Sequence, residues 1–181
     1  MSVLARLLRS DHGAERPDIE PMRRRHLGQV VAIEQVSYPK PWSAQVFHDE
    51  LDMARAGARH YVVAKRGRDV VGYAGALFVG DEAHVTNVAV HRDHQRTGVA
   101  TALLVDLADT AIARSCRSWS LEVRASSVGA QSLYRAFGFV PAGVRARYYE
   151  SVEDAIVMWC HDIGTAAYAQ RLATLREGGR P

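Results

Sequence analysis

Between His60 and His91 the chain passes through three apolar, β-branched stretches separated by segments too short for anything but a reversal. His60–Lys65 leads into Arg66-Gly-Arg-Asp69, Val70–Val79 into the turn Gly80-Asp-Glu82, and Glu82–His91 follows. Strands joined by tight glycine turns predict an antiparallel meander. The period then changes. From Gly98 to about Arg114, Leu103, Leu107 and Ala111, with Leu104, Ala108 and Ile112, make one apolar face of a long helix. Ser118–Arg124 alternates, with Trp119, Leu121 and Val123 on one side and Ser120, Glu122 and Arg124 on the other, which predicts a strand. A helix over about 127–137 presents Ala130, Leu133, Tyr134 and Phe137, and Gly138 closes it. Phe139–Ala142 and Ala155–His161 are expected to be two closing strands.

Upstream, Ile19–Met22 suits a short edge strand, and Leu27, Val30, Val31 and Ile33 suit a helix from about Arg24 to Val36. Pro39 and Pro41 forbid its continuation through Tyr38–Trp42. Ser43 then caps a helix through Met53, with Phe47 and Leu51 four apart. The sum is α/β with a mixed sheet.

At 181 residues, 48% hydrophobic and 24% charged, the chain has the size and composition of one globular domain. Residues 18–163 are expected to form it, with a flexible leader over 1–17 and a helical tail over 164–181 that carries Ala169, Leu172 and Leu175. The net charge of +3 comes without a dense Lys/Arg stripe, so no nucleic-acid partner is expected; Arg23, Arg24 and Arg25 read as a solvated helix start. No apolar run reaches the ~20 residues of a membrane span. Arg6 and Arg9 break the first segment, so no signal peptide is expected and the cytoplasm is the default compartment. Cys116 and Cys160 have no metal-ligand spacing and read as packing residues. His84, His91 and His94 read as strand or loop histidines, and no metal is expected.

The most informative stretch is Val88–Ala100, a strand that runs into a loop that opens a long helix. The first amides of a helix lack partners and carry partial positive charge, so an anion fits there. Gly98 lets backbone approach such an anion closely, and Arg96 adds charge. No Gly-Lys-Ser/Thr follows, so this is not a P-loop, and the Gly-x-Gly of a dinucleotide fold is missing.

Gln95-Arg-Thr-Gly-Val-Ala100 resembles the acyl-CoA pyrophosphate loop of GNAT acetyltransferases, Q/R-x-x-G-x-G/A. Leu121–Ser127, Ser132–Phe139, Pro41-Trp-Ser43, Arg145-x-x-Tyr-Tyr149 and Asp154-Ala155 resemble the RimI branch of that superfamily, which acetylates the N-terminal alanine of a small-subunit ribosomal protein. The resemblance covers about residues 19–161. It implies the GNAT fold, a mostly antiparallel sheet of six to seven strands flanked by helices, with acetyl-CoA as cosubstrate and a protein N-terminus as partner.

It also implies roles. The backbone of Val88, Ala89 and Val90 aligns the pantetheine arm, and the Val90 N–H polarises the thioester carbonyl. The amides of Gln95, Arg96, Thr97, Gly98, Val99 and Ala100 hold the pyrophosphate. Glu122 matches the general base and Tyr134 the general acid. Ser127 is placed with the cofactor-binding residues but stands where the branch usually has Asn, a departure expected to cost one polar contact to the cofactor or to Tyr134. Trp42, Tyr148 and Tyr149 are expected to border the acceptor peptide. The chemistry is consistent: an α-amine with a pKa of roughly 7.7–8.0 is partly neutral near pH 7, and a carboxylate can take the remaining proton. A phenol can protonate the leaving thiolate, so no protein nucleophile is needed. A small-molecule amine or a lysine side chain as acceptor, or a non-catalytic acyl-CoA-binding module, are the alternatives. A monomer or weak dimer is expected.

Overall fold

The computed structural model describes residues 16–178; the expected leader lies outside the described residues except for its last two. In chain order the elements are β1 (Asp18–Pro21), a 3-10 turn (Arg24–His26), α1 (Leu27–Ser37), α2 (Ala44–Arg55), β2 (Arg59–Arg66), β3 (Asp69–Val79), β4 (Glu82–Val90), a second 3-10 turn (Arg92–His94), α3 (Val99–Ala113), β5 (Ser118–Arg124), α4 (Val128–Ala136), β6 (Val140–Tyr149), β7 (Glu153–His161) and α5 (Ala166–Arg176). One seven-stranded sheet has the order β1-β2-β3-β4-β5-β7-β6. Its pairs are antiparallel except β4–β5, which is parallel.

Each face of the sheet carries a core. On one, Leu103, Leu104 and Leu107 of α3, Trp119 and Leu121 of β5, and Phe137 and Phe139 around the end of α4 pack together. The C-terminal helix α5 joins this core through Tyr168, Leu172 and Leu175, and the Thr165 hydroxyl caps it by accepting from Tyr168 N at 3.3 Å. Gly72 on β3 brings the first turn of α3 close, because a Cβ there would meet Ala89 O at 2.9 Å and Val99 Cγ1 at 3.0 Å. On the other face Leu27, Val30 and Ile33 of α1 and Phe47 and Leu51 of α2 pack on Tyr61 and Tyr73. Glu34 is buried there too, at 2% exposure, and accepts hydrogen bonds from Trp42 N at 2.9 Å and from the Tyr73 hydroxyl. It ties the α1–α2 loop to β3.

Two expectations change. The first helix opens as the 3-10 turn Arg24–His26 and becomes α-helical only at Leu27. Strand β6 is far longer than Phe139–Ala142, running to Tyr149, so Tyr148 and Tyr149 lie in it rather than between strands. As the outer strand of the sheet, β6 is exposed over nearly all its length, and its sequence carries no inside–outside alternation to read. It also leaves register between Arg145 and Tyr149, with Arg147 at φ 54°.

Candidate active site

Strands β4 and β5 pair only from Glu82–Ser118 to His84–Ser120, yet β4 runs on to Val90 and β5 to Arg124. The two strands part after three residues. The parting coincides with a bulge: Ala76 faces Val85 and Gly75 faces Asn87, so Thr86 is an extra residue that bends β4. Past it, His91 N donates to Val71 O at 2.9 Å, which by antiparallel alternation turns Ala89 toward β3 and the polar groups of Val88 and Val90 toward the opening. Two contacts show the same orientation. The Tyr38 hydroxyl donates to Val88 O at 2.8 Å, and Gln95 Nε2 donates to Val90 O at 3.3 Å. A cavity of about 250 Å³ lined by Tyr38, Val88, Ala89, Val90, Arg92 and Gln95 lies along this edge.

The edge leads to the loop before α3. Thr97 Oγ1 donates to His94 O at 2.6 Å, and Arg66, at the end of β2, donates to Thr97 Oγ1 at 3.2 Å and to His94 Nδ1 at 3.2 Å. Burial, then the Arg66 charge, push the His94 imidazole below its ordinary pKa, which leaves Nδ1 free to accept. Arg96 at φ 63° and Gly98 at φ 82° turn the chain into the helix. The Gln95 amide is spent on Arg92 O at 3.3 Å, so it leaves the expected set of phosphate donors. Among the described residues the amides of Arg96, Thr97 and Gly98 have no backbone acceptor, and those of Val99, Ala100 and Thr101 precede the first bond of the helix, Ala102 N to Gly98 O at 3.0 Å. The Val99 side chain itself is buried in the core. Open space lies where a Gly98 Cβ would stand. An extended chain ending in a diphosphate fits this arrangement: polar backbone along the edge, free amides at its end.

Glu122 and Tyr134 lie on opposite faces of the sheet. Glu122 alternates with Leu121 and Val123, which belong to the α3 core, so its carboxyl points to the α1–α2 side. Its Oε2 lies 3.0 Å from His84 Nε2 and its Oε1 3.0 Å from Arg145 Nη1. Tyr134 sits in the α3 core, edge-on to Phe139 at 5.9 Å between centroids, and burial raises its phenol above the ordinary range. Burial, then Tyr134, raises the Tyr38 phenol, and Tyr149 adds to the burial that raises Tyr134. Burial first, then Tyr148, push Tyr149 up to about 12. Tyr149 donates to Glu122 O at 3.1 Å with its ring under Arg124, so β6 is fastened over β5 at Glu122.

The other expected residues are placed unequally. Tyr148 is half exposed and edge-on to Tyr149. The Trp42 ring packs on Phe47 at 5.5 Å and is half-buried at the margin of the second core, so it contributes support for the loop more than a groove wall. Ser127 precedes α4 without a side-chain cap bond. Three neighbours of the opening escaped sequence reasoning, Arg66, His84 and Thr101, and Tyr38 and Arg145 entered it only as members of the Tyr38–Trp42 loop and the Arg145-x-x-Tyr-Tyr149 stretch. His84 alone carried a signal, since it alternates outward on β4 as Glu122 does on β5. Among the described residues no three metal-ligating side chains cluster, and no helix is long and apolar enough to cross a membrane.

A split parallel pair beside a loop of free amides suits an extended, phosphate-tipped ligand. Residues 27–139 match the Acetyltransferase (GNAT) family, and the chain belongs to that family: it is an acetyl-CoA-dependent N-acetyltransferase. A putative ribosomal protein bS18-alanine N-acetyltransferase of Bacillus subtilis is 33% identical over 142 residues, 78% of this chain and 93% of the relative. The Escherichia coli K12 ribosomal protein bS18-alanine N-acetyltransferase is 37% identical over 131 residues, covering 70% and 84%. The crystal structure of the Escherichia coli ribosomal-protein-S18-alanine N-acetyltransferase superposes with a TM-score of 0.73 at 32% identity, covering 81% of this chain and 94% of that one.

Proposed function

We propose that this enzyme acetylates the N-terminal α-amine of a protein in the cytoplasm, and that its acceptor is the N-terminal alanine of a small-subunit ribosomal protein. The reading rests on one observation above all: where β4 and β5 part, the Glu122 carboxyl stands two residues beyond the last paired residue of β5, within reach of His84 and Arg145. The activity named for the Bacillus subtilis and Escherichia coli relatives supports the acceptor. Acetyl-CoA supplies the activated acetyl group. The amides from Arg96 to Thr101 hold its diphosphate, and the backbone of Val88 and Val90 holds its arm as an added strand would be held.

Glu122 takes the proton that the acceptor amine must lose to become a nucleophile. Val90 N–H points into the opening, where it stabilises charge that develops on the carbonyl oxygen. Tyr134 gives its proton to the departing sulfur. Its raised pKa means that the phenol carries its proton at neutral pH. An exposed α-amine loses a proton more readily than a lysine, whose pKa is near 10.4.

The test combines acetyl-CoA with a short peptide that begins with alanine, and reads CoA release and peptide mass. The expected product carries one acetyl group at the α-amine. Glu122→Gln and Tyr134→Phe are each expected to lower kcat by about 10²–10⁴-fold. A peptide blocked at its N-terminus and carrying a free lysine is expected to stay unmodified; its acetylation at the same rate would overturn the acceptor assignment.

A further inference from the structure

Glu122 does not stand alone in the opening. His84 Nε2 lies 3.0 Å from Glu122 Oε2, and His84 Nδ1 lies 2.9 Å from Ser120 Oγ. His84 and Ser120 are the last paired residues before β4 and β5 part, and Glu122 is two residues further along β5. The imidazole therefore bridges the end of the ladder and the first free carboxyl beyond it. The tautomer follows from the partners. A carboxylate has no proton to offer, so Nε2 carries the hydrogen and donates it to Glu122. In a neutral ring Nδ1 must then accept, and the Ser120 hydroxyl donates to it. Each of the three groups has its hydrogen-bonding role fixed by the next.

We propose that His84 is a positioning residue for the base, holding Glu122 in place by Nε2–H and switching it off when the ring gains a second proton. This rests on the reading of Glu122 as base. With the neutral ring, Oε2 is held by a single neutral donor and Oε1 keeps its lone pairs for the acceptor amine. Arg145 touches Oε1 from β6, and its side chain is half exposed, so it is the contact that an incoming ammonium, itself a cation, replaces. Once the ring is protonated, the carboxylate faces a cation on each oxygen and its affinity for the acceptor's proton falls.

The groups that face the ring are few. They are Glu122 and Ser120 on β5 and Arg145 on β6; Tyr149, also on β6, reaches Glu122 O, and Leu77, the cross-strand partner on β3, is apolar. Burial and Arg145 hold the ring below the ordinary imidazole range against the pull of Glu122, so the neutral form prevails at neutral pH. The acid limb of the activity is thus expected to follow the imidazole rather than a lone carboxylate.

The experiment measures kcat and KM from pH 5 to 9 for the wild type, His84→Ala, His84→Gln and Glu122→Gln, with thermal unfolding of each as a check on folding. Loss of a hydrogen bond to a charged group is expected to lower the plateau kcat of His84→Ala by about tenfold to hundredfold. Its KM for acetyl-CoA should not change. His84→Gln retains an N–H donor and does not titrate, so its plateau is expected to recover while its acid limb moves to lower pH. An unmoved acid limb in His84→Gln, or a wild-type plateau in His84→Ala, overturns the role of His84 where Glu122→Gln is inactive. Full activity in Glu122→Gln overturns the reading of the base instead, and with it this one.

Discussion

Glu34 is the buried carboxyl on which the α1–α2 loop depends, and its removal has a size that can be worked out. It accepts from Trp42 N in the loop and from the Tyr73 hydroxyl on β3, in a core of Val30, Ile33 and Phe47. Glu34→Ala strands both donors away from water. A buried donor left without a partner costs about 1–3 kcal/mol, so the pair should cost about 3 kcal/mol or more. For a chain of this size that is a fall of about 6–12 °C in the unfolding midpoint. Glu34→Gln separates the hydrogen bonds from the charge. Its carbonyl still accepts from Trp42 N, and its amide can donate to the Tyr73 oxygen, which accepts as well as donates. The expected loss is about 1 kcal/mol. Thermal unfolding by circular dichroism, with urea titration beside it, reads both. The same loop carries Tyr38, whose hydroxyl sits on Val88 O, so Glu34→Ala should also raise KM for acetyl-CoA. If Glu34→Ala lies within about 1 kcal/mol of wild type, or if Glu34→Gln is equally damaging, the two hydrogen bonds do not hold the loop.

Gly98 stands at φ 82° with open space around a would-be Cβ, so Gly98→Ala meets no clash but strains the backbone. The expected cost is about 1–2 kcal/mol, seen as a several-fold rise in KM for acetyl-CoA with kcat little changed; an unchanged KM would refute the placing of the diphosphate at this turn. Glu153 accepts from Ser126 N at 3.0 Å and from Arg124 at 2.9 Å, and these contacts, those of Ser126 first, hold its pKa down to about 2. A depressed carboxyl stabilises the fold fully above its unfolded pKa of roughly 4.3 and loses that contribution as pH falls toward the folded value. The difference in urea midpoint between wild type and Glu153→Gln should therefore shrink steadily from pH 5 to pH 2, and a difference that does not vary with pH would count against the contacts.

The meander, the long helix and β5 were legible because each buries one face with a clear period: Leu103, Leu104 and Leu107 on α3, Trp119, Leu121 and Val123 on β5. Strand β6 was not, because an outer strand exposed on both faces has no reason to alternate. The C-terminal helix was readable as a helix, but nothing in its spacing said that Tyr168, Leu172 and Leu175 enter the main core. The arginine run was legible as a helix start but not its partners: Arg24 pairs with Asp52 of α2 and Arg25 with Glu20 of β1, contacts between segments that only the fold brings together. Site residues divide in the same way. Gly98 and its loop announce themselves because one conformation and one stretch of amides do the work. Tyr38, Arg66, His84 and Arg145 reach partners 23 to 50 positions away, and no local pattern records those pairings.

The position of the opening follows from topology more than from any motif. Parallel neighbours cannot be joined by a hairpin; the chain must leave the end of one strand, cross a face of the sheet and return to the start of the next. Strands β4 and β5 are the one parallel pair among the described residues, and α3 is their crossover. The N-terminus of α3 must then lie beside the C-terminal end of β4, which is where ligands gather in sheets of this kind. The bulge at Thr86 bends β4 away from β5 at the same end, so the unpaired edge and the free amides become neighbours. Packing fixes the remaining tolerance, since Gly72 on β3 admits Val99 and Leu103 at distances that no other residue would allow. A carboxyl on β5 two residues beyond the last paired one stands beside that opening on the α1–α2 face, and Glu122 is such a residue.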